Sequence, residues 1–131
     1  MAASHSRPHA RGFTLMELMV VMAIIASLMT LAMPRYFHSV DRSREAVLRQ
    51  DLSVMRDAID KFLADRGRYP LSLAELAEKR YLRKVPADPI TESASTWVVV
   101  APPESEAREG VYDVHSGAPG TSLDGEAYES W

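Results

Sequence analysis

The sequence predicts an α+β fold: one long N-terminal helix, apolar in its first half and amphipathic in its second, packed on a small antiparallel sheet. Three observations predict it. From Leu18 to Pro34 no residue is charged. Between Arg35 and Arg66 there is no glycine or proline, and Leu48, Leu52, Met55, Ile59 and Phe62 recur at spacings of 4, 3, 4 and 3, one face of an α-helix. Two β-rich runs follow, Thr96–Val100 (TWVVV) and Val111–His115 (VYDVH), separated by the polar stretch APPESEAREG.

The 131 residues leave room for one domain, and the apolar N-terminus takes part of that length. The formal net charge is −3; without residues 1–12, which hold Arg7 and Arg11 and no acid, it is −5. That balance argues against a general nucleic-acid binder. With no cysteine there is neither a disulfide framework nor thiolate chemistry.

The first element is the apolar run. Phe13 to Met33 spans 21 residues, about 31 Å of helix, enough to cross a ~30 Å hydrocarbon layer. A conventional secretory signal would place a small-x-small cleavage site after this run. The run instead ends in Leu31-Ala32-Met33-Pro34, with a proline where cleavage would be needed. The other reading cuts before the run, between Gly12 and Phe13. Gly12, Phe13, Thr14, Leu15, an acid at Glu17 and then an uninterrupted apolar helix resemble the prepilin signature of type IV pilins and pseudopilins. Pro34 also falls where that family commonly has a proline. The resemblance implies that a dedicated peptidase and methyltransferase removes residues 1–12 and methylates the amine of Phe13. It implies a filament-core and transmembrane helix over 13–34 and a periplasmic head over 35–131. Positive charge does not decide orientation, since Arg7 and Arg11 precede the span and Arg35, Arg42 and Arg44 follow it. The resemblance places the leader in the cytoplasm and anchors the chain once in a bacterial inner membrane.

Glu17 is the acid that interrupts this segment. A carboxylate near a bilayer centre costs about 2.5–3.5 kcal/mol on insertion scales, and such a residue is by default functional and paired. Either it reaches up to the headgroups or it meets an α-amine released by cleavage. The resemblance implies the second, with the amine of Phe13 on a neighbouring copy in the filament.

The helix is expected to continue to about Asp65, with Pro34 kinking or locally opening it. Glu45–Arg49 and Asp57–Lys61 are i,i+4 pairs in the favoured order. The apolar stripe could be a coiled-coil seam, but packing against the chain's own head is the simpler expectation. Gly67 stops the helix and Arg68-Tyr69-Pro70 turns the chain. Ser72 and Glu75 form a capping box ahead of a short helix, SLAELAEKRYL. The tail from Ser116 reads as loop, with a short strand near Ala127-Tyr128.

DRGRYP, LRKVPADP, VYDVHSGAPG and the final Trp131 resemble the head of G-type major pseudopilins of type II secretion systems, the likeness weakening between Ile90 and Glu109. This resemblance implies a subunit of a pseudopilus that drives protein secretion across the outer membrane. Its implied partners are copies of itself, minor pseudopilins, an inner-membrane assembly platform and membrane lipid. It also implies a calcium ion in the C-terminal loop. Calcium takes six to eight oxygen ligands. Here the loop from Ser116 to Glu126 is short and offers Asp124 and Glu126 with backbone carbonyls, so a solvated turn and no cofactor is the expectation.

Enzyme signatures are missing from the sequence. His38 and His115 are isolated, and His5 and His9 lie in the leader. The run Gly117–Ser122 lacks the lysine of a phosphate loop, and there is no G-x-S-x-G elbow. The rivals within the family are a type IV pilus subunit and a minor pseudopilin. A monomeric signal-anchored periplasmic binding domain and an anchored hydrolase are rivals of other classes; neither needs Glu17 or a cut after Gly12.

Overall fold

The computed structural model describes residues 3–5 and 11–131, so most of the expected leader lies outside the described residues. The chain divides into two compact units, residues 1–38 and 39–131. A single helix, α1 (Leu15–Arg66), contributes to both.

In the first unit the apolar side chains of α1 find no cover: Leu15 is 77% exposed and Met33 54%. Between Glu17 and Pro34 the two hydroxyls are satisfied within the helix. Ser27 Oγ donates to the Ala23 carbonyl and Thr30 Oγ1 to the Ala26 carbonyl, each at 2.8 Å. Internal satisfaction of this kind suits a surface that does not face water. α1 runs unbroken through Pro34, so the expected local opening does not occur. The proline removes a single N–H, and the turns on either side retain theirs.

In the second unit the stripe Leu48, Leu52, Met55, Ile59 and Phe62 is buried and forms the floor of the core. The stripe packs on its own head, as expected, with Leu76, Trp97, Val111 and Val114 above it. The i,i+4 ion pairs do not form. Glu45 turns inward and is buried. Arg49 places its guanidinium 4.3 Å from the Trp131 ring centroid. Asp57 and Lys61 are both exposed and make no ion pair among the described residues. An exposed pair of this type is worth only a few tenths of a kcal/mol, so packing decides.

Gly67 ends α1 with φ +68°, its N–H donating to the Leu63 carbonyl at 2.9 Å. Ser72 then caps α2 (Leu73–Glu78) by accepting from the Glu75 N–H at 3.2 Å. The Glu75 carboxylate reaches back to the Leu71 N–H at 2.8 Å and to Arg68 at 2.6 Å. Hydrogen bonding from Arg68, then from Leu71, holds the Glu75 carboxyl below its usual range. α2 is shorter than SLAELAEKRYL suggests. Its last turn closes at Lys79, and Arg80 adopts φ +66°.

The sheet has two antiparallel strands, β1 (Val98–Val100) and β2 (Asp113–His115), with Val99 opposite Val114. Both are shorter than their β-rich runs, and at the start of the second run a backbone donor has a partner outside the sheet. The Val111 N–H bonds the Pro70 carbonyl at 2.7 Å, and the Trp97 indole bonds the Pro86 carbonyl at 2.7 Å. Arg56 ties α1 to β2: its Nε donates to Asp113 Oδ1 and its Nη2 to the Val114 carbonyl, both at 2.9 Å. At Gly117 a side chain would meet the Thr96 carbonyl oxygen at 2.1 Å, so this crossing requires glycine. The expected strand near Ala127 is only an isolated bridge, Thr121 with Ala127, followed by a 3-10 turn at Tyr128–Ser130.

Phe62 is fully buried and meets Tyr81 edge-to-face at 5.2 Å. Replacing it with alanine should cost about 3–5 kcal/mol of stability, read as a lowered denaturation midpoint of the detergent-solubilised chain.

Candidate processing and assembly site

The N-terminal site is built around the start of α1. Thr14 precedes the helix, and its Oγ1 accepts from the Glu17 N–H at 3.1 Å. Its carbonyl accepts from Leu18 N–H at 3.2 Å. Thr14 is therefore an N-cap, and Thr14-Leu15-Met16-Glu17 has the spacing of a capping box. This role was legible in the sequence as T-x-x-E but is masked there by the stronger apolar signal. Glu17 thus sits in the first turn, where the exposed N–H groups and helix dipole favour a carboxylate.

The structure brings Phe13 and Glu17 together. With Thr14, Met16, Val20 and Val21 they line one shallow recess of about 390 Å³. Phe13 is 90% exposed. Gly12 has no atom within 4 Å of where a side chain would begin. Neither packing nor a positive φ accounts for glycine at this position. Pro34 lies in the same helix, 17 positions beyond Glu17, and does not join the recess.

The C-terminal loop is a second candidate. Asp124 and Glu126 are both exposed, and among the described residues no three His, Cys, Asp or Glu side chains gather to hold a metal. The groups that converge inside the loop are donors, the Leu123 N–H and the Tyr128 hydroxyl, and they meet the carboxylate of Glu45. A cation needs converging acceptors. Sequence reasoning missed Glu45, whose position on the polar flank of α1 reads as a surface ion pair.

A recess of about 640 Å³ also lies along α1, lined by Arg49, Leu52, Ser53, Arg56, Glu126 and Trp131 among others. Arg56 is committed to Asp113, and Ser130 Oγ donates to the Ala127 carbonyl. His115 Nδ1 meets the Trp131 carbonyl. No serine of this recess has a base within hydrogen-bond reach among the described residues.

An exposed apolar helix that opens on a capped G-F-T-L-x-E segment, and a small α+β head, together define a pilin-like subunit. Residues 7–33 match the prokaryotic N-terminal methylation motif. The type II secretion system core protein G of Escherichia coli is 30% identical over 125 residues, covering 83% of this chain and 81% of that protein. That of Klebsiella michiganensis is 29% identical over 138 residues, covering 90% and 92%. A type IV major pilin protein of Myxococcus xanthus is 36% identical over 69 residues, 53% of this chain and 31% of that pilin. No solved structure gives a significant match. The chain belongs to the pilin and pseudopilin family, in its type II secretion core protein G group.

Substituting Thr14 with alanine should cost about 1 kcal/mol locally. Amide exchange at Glu17 and Leu18 in micelles should then quicken about fivefold, while the head is unchanged.

Proposed function

We propose that this chain is a structural subunit of a type II secretion pseudopilus, not an enzyme, and is processed between Gly12 and Phe13. The observation that carries the reading is the first half of α1. From Leu18 to Met33 it is uncharged and exposed, its two polar side chains, Ser27 and Thr30, bonded within the helix, and it is preceded by Gly12, a glycine the fold itself does not require. From Leu15 to Met33 this segment is about 28 Å long, close to a ~30 Å hydrocarbon layer.

The proposed sequence of events joins that surface to the family membership. The precursor sits in the inner membrane with residues 1–12 in the cytoplasm, residues 13–34 in lipid and residues 35–131 in the periplasm. The prepilin peptidase cuts before Phe13 and methylates the new amine. The assembly platform then moves subunits from lipid into a filament. There the apolar faces of 13–33 pack on one another, replacing lipid contacts with contacts between copies. Glu17 meets the Phe13 amine of a neighbouring copy, which neutralises a charge that is costly at that depth. The pairing sets the axial register of each incoming subunit. Minor pseudopilins and membrane lipid are the remaining partners. A type IV pilus subunit is the second reading, favoured by the likeness to the Myxococcus xanthus pilin.

Intact mass and N-terminal sequence of the chain from native membranes test the processing step. The expected product starts at Phe13 and is about 14 Da heavier than the unmodified chain, the increment of one methyl group. A chain that keeps its leader in cells with active peptidase would overturn the reading. Glu17→Ala should still be cut and inserted yet fail to form filaments; normal filaments would remove Glu17 from the mechanism. Loss of exoprotein release in a strain lacking the chain supports the pseudopilus. Loss of surface filaments with secretion intact supports the pilus.

A further inference from the structure

Glu45 is an acid buried in the head, only 8% exposed, on the side of α1 that carries Leu48 and Leu52. Its Oε1 accepts two hydrogen bonds from the far end of the chain. The Leu123 N–H donates at 2.8 Å and the Tyr128 hydroxyl at 2.9 Å. Leu123 lies within a loop that is closed on itself, and Tyr128 directly follows that loop. Thr121 bridges Ala127, the Ser122 N–H bonds the Glu126 carbonyl at 2.7 Å, and Gly125 N–H bonds the Ser122 carbonyl at 3.0 Å. Ser122 Oγ accepts from the Glu126 N–H at 3.2 Å.

The polarity at the centre of this loop is that of an anion site. An N–H and an O–H aim inward, and the anion is supplied by α1. A calcium ion at the same place would face two donor hydrogens and compete with them for the Glu45 oxygen. The acids of the loop, Asp124 and Glu126, are out in solvent. Burial, then the bond to Glu45, pushes the Tyr128 hydroxyl up to about 12, with Asp41 and Asp88 adding to the negative field. Tyr128 therefore remains a donor at any physiological pH. Behind the loop a second acid acts alike. Asp88, fully buried, accepts from the Ile90 N–H at 2.8 Å, the Thr91 N–H at 3.4 Å and Ser116 Oγ at 2.6 Å. The head is thus tied down by carboxylates that meet protein donors.

We propose that Glu45 is the fastener of the C-terminal loop, in place of a divalent cation, so that the head of this chain folds and holds its loop without calcium. The consequence is a subunit whose stability is independent of the calcium concentration around it. Because the device is internal, processing and membrane insertion are outside it, and its test is independent of the reading of the N-terminus.

The test uses the full chain in detergent, with Trp131 as reporter, since its ring lies 5.3 Å from that of Tyr128. The wild-type melting temperature should be the same in chelator and in millimolar calcium chloride. Glu45→Ala should lower it by about 5 °C or more in both conditions, red-shift Trp131 emission and speed proteolysis within residues 120–128. Calcium should restore none of these. Glu45→Gln keeps an acceptor oxygen, so it should fold, melt between the two and stay insensitive to calcium. A wild-type melting temperature that rises with calcium overturns the proposal, and so does rescue of either variant by calcium. An alanine variant indistinguishable from wild type overturns it as well.

Discussion

The structure depends on one constraint: a single uninterrupted helix carries two surfaces meant for different surroundings. From Leu18 to Met33 α1 is uncharged on every side and uncovered among the described residues. Over its second half the apolar residues contract to one stripe, Leu48 to Phe62, and the rest of the face is polar. A helix apolar all round belongs in lipid or in a core of other helices, whereas one with a stripe belongs at the edge of a small domain. Pro34 stands at the change of surface, yet α1 runs through it, and no further glycine or proline interrupts the chain before Gly67. The head must therefore be assembled on whatever face the helix presents.

A two-stranded sheet is a weak partner for such a helix, since a lone hairpin is marginal in water. The head compensates with specific polar ties across long sequence separations. Arg56 grips β2 through Asp113 and the Val114 carbonyl. Asp88 organises its own turn and reaches Ser116. Glu45 holds the C-terminal loop. Buried polar groups of this sort stabilise only when their partners are all present, and losing one partner leaves the other stranded.

Acids along α1 show how surroundings set the role of a side chain. Glu17 is exposed in an apolar stretch, capped by Thr14 and placed beside Phe13. Glu45, 28 positions on, is buried and bonded to protein donors. Asp57, on the face away from the buried stripe, is exposed and makes no ion pair among the described residues. The three are acids of one helix, and what each meets sets what it does.

The sequence by itself determined the class of fold, the extent of α1, the capping box at Ser72 and the N-terminal motif. Each is a local property: periodicity, a breaker such as Gly67, or residue types at fixed spacing, none needing a distant partner. Only the tertiary structure decided that Glu45 abandons Arg49 for Leu123 and Tyr128. It likewise decided that α2 stops at Glu78, that the strands shrink to three residues each, and that the tail turns as a 3-10 helix rather than pairing as a strand. Those outcomes rest on contacts between residues tens of positions apart, where one buried hydrogen bond outweighs an exposed ion pair. That long-range competition is what a helical wheel or a β-propensity run does not contain.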